Sequence, residues 1–128
     1  MRLLLDTHAL IWWMTNDPQL GAAARRAISD PGTQVFVSAA SAWEIATKFR
    51  LGKLPSMRDV VHTLEVDVAR QGFDTLPVAF SHAQRAGSLA GEHRDPFDRM
   101  LIAQALTEGL PLATNEVLFE QFGVARIW

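Results

Sequence analysis

Four acidic residues, Asp6, Glu44, Asp98 and Glu116, lie far apart in the chain, yet each falls where an apolar run hands over to a helical pattern or where such a pattern begins. A parallel sheet gathers such positions along its carboxyl edge, where the crevice of an open α/β fold lies. Four ionised carboxylates collected there carry a charge of −4 and repel one another unless cations sit among them, and two Mg2+ or Mn2+ ions would neutralise them. Hard oxygen donors in a chain without cysteine favour those metals over zinc. The expected chemistry is that of a divalent-metal centre, and hence of an enzyme.

Each acid also has a purely structural reading. Asp6 directly follows Leu3-Leu4-Leu5, so its carboxylate is expected to be buried and to need either a metal or a partner such as an arginine or backbone donors. Ser41-Ala42-Trp43-Glu44 has the S-x-x-E form of a capping box, which places Glu44 in a first helical turn. Asp95-Pro96-Phe97-Asp98 puts Asp95 at an N-cap and Asp98 at the third helical position, where the helix dipole favours negative charge. Glu116 follows Asn115, which reads as a cap. His8 is read as packing at the start of the first helix rather than as a ligand, and none of His62, His82 and His93 forms an H-x-x-x-H pair. No histidine is assigned to catalysis. Trp12, Trp13 and Trp43, with Ile11 and Met14, are read as core in preference to a base-stacking platform or a protein interface. Lys48, Arg50 and Lys53 form a positive cluster beyond Glu44 that suits a solvated helix end or a phosphate track.

The elements that must position these groups alternate. Leu3-Leu4-Leu5 and Gln34–Ser38 are continuous apolar runs of the kind that form strands covered on both faces. Between them a helix is predicted over Ala9–Met14 and a second one opened by Asp17-Pro18. Ala42, Ile45, Ala46 and Phe49 recur at helical spacing up to Gly52, and Met57, Val60, Val61, Leu64 and Val68 do so up to Gly72. A strand at Phe73–Leu76 precedes a helix over Ala79–Ala90, and Asp95-Pro96 opens another that runs to Gly109. Strands at Pro111–Thr114 and Ala125–Trp128, with a short helix between them, complete the order βααβααβααβαβ. This order predicts a three-layer α/β/α sandwich around a parallel sheet of four to five strands.

At 128 residues and 48% hydrophobic content the chain suits a single domain with its own core. The absence of cysteine excludes a disulfide framework, and the cytoplasm is the default location. The apolar run at the N-terminus is too short to span a membrane. A net charge of −2 argues against a general nucleic-acid coating protein while leaving room for a local basic patch.

Four blocks together resemble the PIN-domain proteins of the VapC toxin type. They are Leu4-Leu5-Asp6-Thr7-His8-Ala9-Leu10-Ile11-Trp12, Ser38-Ala39-Ala40-Ser41-Ala42-Trp43-Glu44-Ile45, the stretch from His93 to Ala105, and Leu112-Ala113-Thr114-Asn115-Glu116. The resemblance spans the chain. It implies a Mg2+- or Mn2+-dependent endoribonuclease, the toxin of a toxin–antitoxin pair, usually homodimeric and held inactive by a small VapB-like antitoxin. By position, Asp6, Glu44 and Asp98 would be the core metal-binding acids. Asp95, Thr7, Ser38, Thr114 and Asn115 would assist. The last block usually reads T-x-D, so Glu116 offers a longer side chain in that place.

On this reading a water is deprotonated for in-line attack on an RNA phosphodiester, with a second ion near Glu116 stabilising the leaving oxygen. Arg99 or the Lys48, Arg50 and Lys53 cluster is the expected holder of flanking phosphates. Two alternatives stand beside it: a metal-dependent phosphatase or phosphotransferase in which Asp6 attacks phosphorus, and a non-catalytic cation-binding interaction module.

Overall fold

The computed structural model describes residues 1–128. Its strands are β1 (Arg2–Leu5), β2 (Gln34–Ser38), β3 (Asp74–Leu76), β4 (Leu112–Ala113) and β5 (Arg126–Ile127). The helices are α1 (Thr7–Met14), α2 (Ala22–Ser29), α3 (Ala39–Arg50), α4 (Leu64–Arg70), α5 (Phe80–Ser88) and α6 (Pro96–Glu108). All strand pairs are parallel, in the order β3-β2-β1-β4-β5. The three-layer sandwich expected from the sequence is therefore present, with five strands.

Alternation along the strands builds the two faces. Leu3 and Leu5 join Val35 and Val37 in a cluster with Leu10, Ile28, Ile45 and Val68, which covers the sheet with α1 to α4. Leu4 points to the other face, where it meets Leu112, Leu101, Ile102 and Phe119 beneath α6. Each of the three leucines of β1 is fully buried, and each such burial contributes roughly 2 kcal/mol. A strand with no solvated face explains why the run is continuous rather than alternating.

Strand β1 is central, and the chain order reverses on either side of it: β2 and β3 lie to one side, β4 and β5 to the other. Such a switch point opens a crevice at the carboxyl ends of the strands. Asp6 leaves β1 at that end, and Thr114 leaves β4 beside it.

Some boundaries differ from the sequence reading. Asp17-Pro18 forms a turn, with Asp17 Oδ1 accepting from the Gln19 N–H at 2.8 Å. Helix α2 starts only at Ala22, after Gly21, where a Cβ would lie 2.6 Å from the Trp128 carbonyl carbon. The Met57 to Val68 pattern is broken into a short 3-10 turn at Pro55–Met57, further turns, and α4. Val60, Val61 and Thr63 disfavour a helix there, being β-branched, yet Met57, Leu64 and Val68 are still buried. The last connection, Val117–Phe122, is 3-10 rather than α.

Helix α3 begins a turn earlier than the S-x-x-E pattern suggested. Ser38 is its N-cap, accepting from the Ala40 N–H at 3.0 Å. Glu44 therefore lies in the second turn and takes no part in a capping box. Helix α6 follows its prediction: Asp95 caps Phe97 N–H and Asp98 N–H at 2.9 and 3.2 Å, and Gly109 ends it with φ of 65°.

Candidate metal centre

Asp6 is 3% exposed at the end of β1. Its Oδ1 accepts from the Thr7 N–H and its Oδ2 from the Thr114 hydroxyl, both at 2.7 Å. No arginine reaches it; the partners are a backbone donor and a hydroxyl. Burial pushes its pKa above the ordinary value, while the Thr114 hydrogen bond, the His8 charge and the Thr7 N–H pull the other way.

Glu44 is 2% exposed and faces inward from α3. Its Oε2 bonds the Lys48 ammonium one turn on, whereas Oε1 is buried with no hydrogen-bond partner. A buried carboxylate oxygen left bare is costly unless something cationic reaches it. Burial opposes the Lys48 charge, but the hydrogen bond and ion pair with Glu44, with Asp95 and Asp98 beyond, hold that ammonium above its usual pKa.

Asp98, at the third position of α6, receives His93, whose Nε2 lies 3.1 Å from Oδ2. The other ring nitrogen accepts from the Asp95 N–H at 3.3 Å, so the Nε2 proton faces Asp98. The Asp98 pKa is pushed up to about 8, first by burial and then by the negative charges of Asp6, Asp95, Glu44 and Glu116. The helix N-terminus does not outweigh that field. The other three of the four predicted acids thus all act on Asp98, and Glu44 acts on Asp6 as well. No three of them, as placed, already enclose a point at coordination distance; Glu44 and Asp98 instead hold cationic or proton-donating neighbours of the chain itself.

Glu116 stands exposed on the rim, its N–H donating to Thr114 Oγ1 at 3.0 Å. Thr114 therefore ties the last block to Asp6. The Thr7 hydroxyl turns away to Ser41 Oγ at 3.0 Å, leaving only its backbone N–H on Asp6. Ser38 contacts none of the acids: it caps α3 and donates to Gln104 Oε1 at 2.6 Å. Gln104 in turn reaches the Pro77 carbonyl, and its amide nitrogen lies 3.3 Å from His82 Nδ1.

Four assignments change. Asn115 is exposed and caps nothing, since the N-cap position before Val117 belongs to Glu116 and no side chain bonds there. Arg99 is unsuited to holding phosphate, because its guanidinium donates to the carbonyls of Ala86, Leu89 and His93. Lys48 is engaged by Glu44, so that only Arg50 and Lys53 of the basic cluster are exposed. Trp43 is no part of the core: it is 63% exposed, its ring 4.8 Å from that of Phe97 in an edge-on stack. Each of these aromatics immediately precedes an acid, Trp43 before Glu44 on α3 and Phe97 before Asp98 on α6.

His93 and the Lys48–Glu44 pairing escaped the sequence reading. The pairing had a signal, glutamate four residues before lysine on a helix; His93 had none beyond lying five residues before Asp98.

An all-parallel sandwich with buried acids converging at its switch point defines an acid-centred α/β domain. Within that class the chain belongs to the PIN domain family, whose model it matches over residues 3–124. It is 38% identical over 73 residues to Ribonuclease VapC16 of Mycobacterium tuberculosis, covering 54% of this chain and 50% of that protein. The chain thus aligns with about half the length of that curated relative. Among solved structures, VapBC2 from Rickettsia felis, bound to a DNA fragment from its promoter, superposes with a TM-score of 0.73 at 14% identity, over 98% of this chain and 97% of that one. Mycobacterium tuberculosis VapC20, a sarcin-ricin loop cleaving toxin, gives 0.70 at 16% identity, over 96% of both. At such identities these superpositions speak to the fold. No helix is long and apolar enough to cross a membrane.

Proposed function

We propose that the chain is a Mg2+- or Mn2+-dependent endoribonuclease hydrolysing RNA phosphodiester bonds, the toxin of a toxin–antitoxin pair, held inactive by a VapB-like antitoxin and acting as a cytoplasmic homodimer. The observation that carries the reading is the approach of Asp6 and Glu44 to Asp98, from three separate elements, where burial first and the neighbouring negative charges second push the Asp98 pKa up to about 8. The partner and the RNA substrate rest on likeness to a protein named as a ribonuclease and to VapBC complexes.

The residues present fit a hard divalent ion. All are oxygen donors, their mutual repulsion calls for positive charge, and Glu44 Oε1 is a buried acceptor without a partner. Asp6, Glu44 and Asp98 would hold the ion, with Glu116 reaching in from the rim. When bound, it supplies charge to a phosphate oxygen and lowers the pKa of a water. The chain's own groups prepare for this. Thr7 and Thr114 fix both Asp6 oxygens, His93 fixes Asp98, and Lys48 holds Glu44 Oε2. The exposed Trp43 ring, edge-on to half-buried Phe97 next to Lys48, offers a face for an unpaired base.

The phosphotransferase alternative fits less well, because a nucleophilic Asp6 would have to attack while 3% exposed and with both oxygens engaged. The test is to incubate the purified chain, freed of any partner, with structured and single-stranded RNAs in Mg2+, Mn2+ or EDTA. Discrete cleavage with metal and none with EDTA is expected. Mn2+ binding without cleavage of any RNA would favour a cation-binding module, and a trapped phospho-aspartate would favour the phosphotransferase.

A further inference from the structure

A buried run of hydrogen bonds, in contact with none of the acids, joins α6 to the start of α3. His82, on α5, accepts from the Ala79 N–H at Nδ1, 2.9 Å away, so its ring proton sits on Nε2 and faces Glu108 Oε1 at 2.8 Å. The Gln104 amide nitrogen lies 3.3 Å from that Nδ1 and donates to the Pro77 carbonyl at 3.2 Å. The amide oxygen is thereby left to accept, and the Ser38 hydroxyl donates to it at 2.6 Å. With its proton committed, Ser38 Oγ accepts from the Ala40 N–H at the start of α3. Ser38, His82 and Gln104 are all buried. One arrangement of donors and acceptors satisfies the whole run, so the contact between Gln104 and Ser38 has a fixed direction.

This contact ties together the two helices that carry Glu44 and Asp98. Glu44 lies six residues after Ser38 on α3, and Asp98 six residues before Gln104 on α6. Six residues of α-helix rise about 9 Å, so both acids stand the same helical distance from one tie. The two helices touch again beside the acids, where Trp43 and Phe97 stack edge-on at 4.8 Å. Ser38 ends β2 and Pro77 follows β3, its parallel neighbour, so Gln104 holds α6 to the carboxyl edge of the sheet as well. An apolar side chain of similar length would fill the same place with no polar group to satisfy, and would leave the separation of the helices to packing alone.

We infer that Gln104 is a positioning residue of the metal centre: through the Ser38 hydroxyl it pins the start of α3 to α6, and so sets the separation at which Glu44 and Asp98 share a divalent ion. The inference rests on the metal-centre reading above and adds to it a determinant of ion size. Neither Gln104 nor Ser38 touches the ion. When the tie is cut the two carboxylates can draw apart, and a small ion suffers first. Mg2+ demands near-ideal octahedral geometry at about 2.1 Å, whereas Ca2+ accepts irregular oxygen sets at about 2.3–2.6 Å.

The test is calorimetric titration of Mg2+ and of Ca2+ into the full chain as wild type, Gln104→Met, Ser38→Ala and the double variant, each checked for folding by circular dichroism. Gln104→Met should lose roughly 10-fold in Mg2+ affinity and no more than about threefold in Ca2+ affinity. Ser38→Ala should do the same, and the double variant should lose no more than the worse single one, because both substitutions cut one tie. Ile102→Val, which shortens a side chain of α6 in the buried cluster with Leu4 and Leu112, is the control: it should lower Tm and leave the ratio of Mg2+ to Ca2+ affinity unchanged. An unchanged ratio in Gln104→Met or in Ser38→Ala, whatever its Tm, would overturn the inference. Additive losses in the double variant, or a shifted ratio in Ile102→Val, would overturn it too. Should Gln104→Met fail to fold, Ser38→Ala decides alone. A wild-type chain that binds neither ion, or an Asp6→Asn chain that binds Mg2+ as well as wild type, would instead remove the metal centre itself, and the role of Gln104 with it.

Discussion

Thr114 Oγ1 donates to Asp6 Oδ2 at 2.7 Å, joining two residues 108 apart in sequence at the carboxyl ends of adjacent strands. The same hydroxyl receives the Glu116 N–H. One small side chain thus fixes the orientation of a buried acid and the path of the segment that carries the last one.

Replacing Thr114 by valine keeps its volume and removes the donor. Mn2+ affinity should fall roughly 10- to 100-fold, while the unfolding free energy drops by only about 1 kcal/mol. Calorimetric titration and urea denaturation measure the two effects separately. Thr114→Ser should restore the affinity. Unchanged Mn2+ binding in Thr114→Val would show that the hydroxyl does not orient Asp6.

In the metal-free protein, Asp98 keeps its proton to about pH 8, against an ordinary value of 3.8. Between those values the folded state binds more protons than the unfolded chain, so this group's contribution to stability is whole below pH 4 and is lost as pH rises through 8. Asp98→Asn should flatten that slope and raise the metal-free Tm at pH 8.5 by roughly 5 °C. In the wild type, Mn2+ binding near pH 7 should release about one proton, read from calorimetry in buffers of different ionisation enthalpy. A Tm profile identical in both proteins would contradict the raised pKa.

Arg99 supports the loop before α6 rather than RNA. Its guanidinium serves three carbonyls, two of them from the segment that leads from α5 to His93. A lysine cannot serve all three, so Arg99→Lys should cost about 2 kcal/mol in urea denaturation. The exposed Arg50 and Lys53 should tolerate alanine within about 0.5 kcal/mol. Equal stability of Arg99→Lys and wild type would return Arg99 to the list of phosphate contacts.

The sheet and its order of elements were legible because buried parallel strands carry continuous apolar runs and because Asp95-Pro96 and Gly109 mark both ends of α6 unambiguously. Helix starts were less so. Ser41 looks like a cap in sequence, but Ser38, at the end of β2, captures the backbone first and shifts α3 by a turn. The Val60, Val61 and Thr63 stretch kept its burial pattern while losing its helix, since periodicity reports which side is buried more faithfully than which backbone conformation carries it.

Of the site, the acids could be read and their partners could not. Asp6 stands where β1 hands over to α1, Glu44 in the helix that follows β2 and Asp98 in the first turn of α6, and for the first two that place is a property of sequence order. Whether Trp43 points inward or outward, whether Arg99 faces solvent or three carbonyls, and whether His93 meets Asp98 depend on how α3, α5 and α6 pack together. No local spacing encodes that.

Mn2+ titration of Asp6→Asn, followed by RNA cleavage under the same conditions, addresses the metal centre most directly. The substitution keeps shape and removes one negative charge from a buried cluster. The protein should remain folded, with a metal-free Tm at or above wild type, Mn2+ affinity reduced at least roughly 100-fold and no cleavage. Wild-type Mn2+ binding with undiminished cleavage in Asp6→Asn would contradict a divalent centre built on these carboxylates.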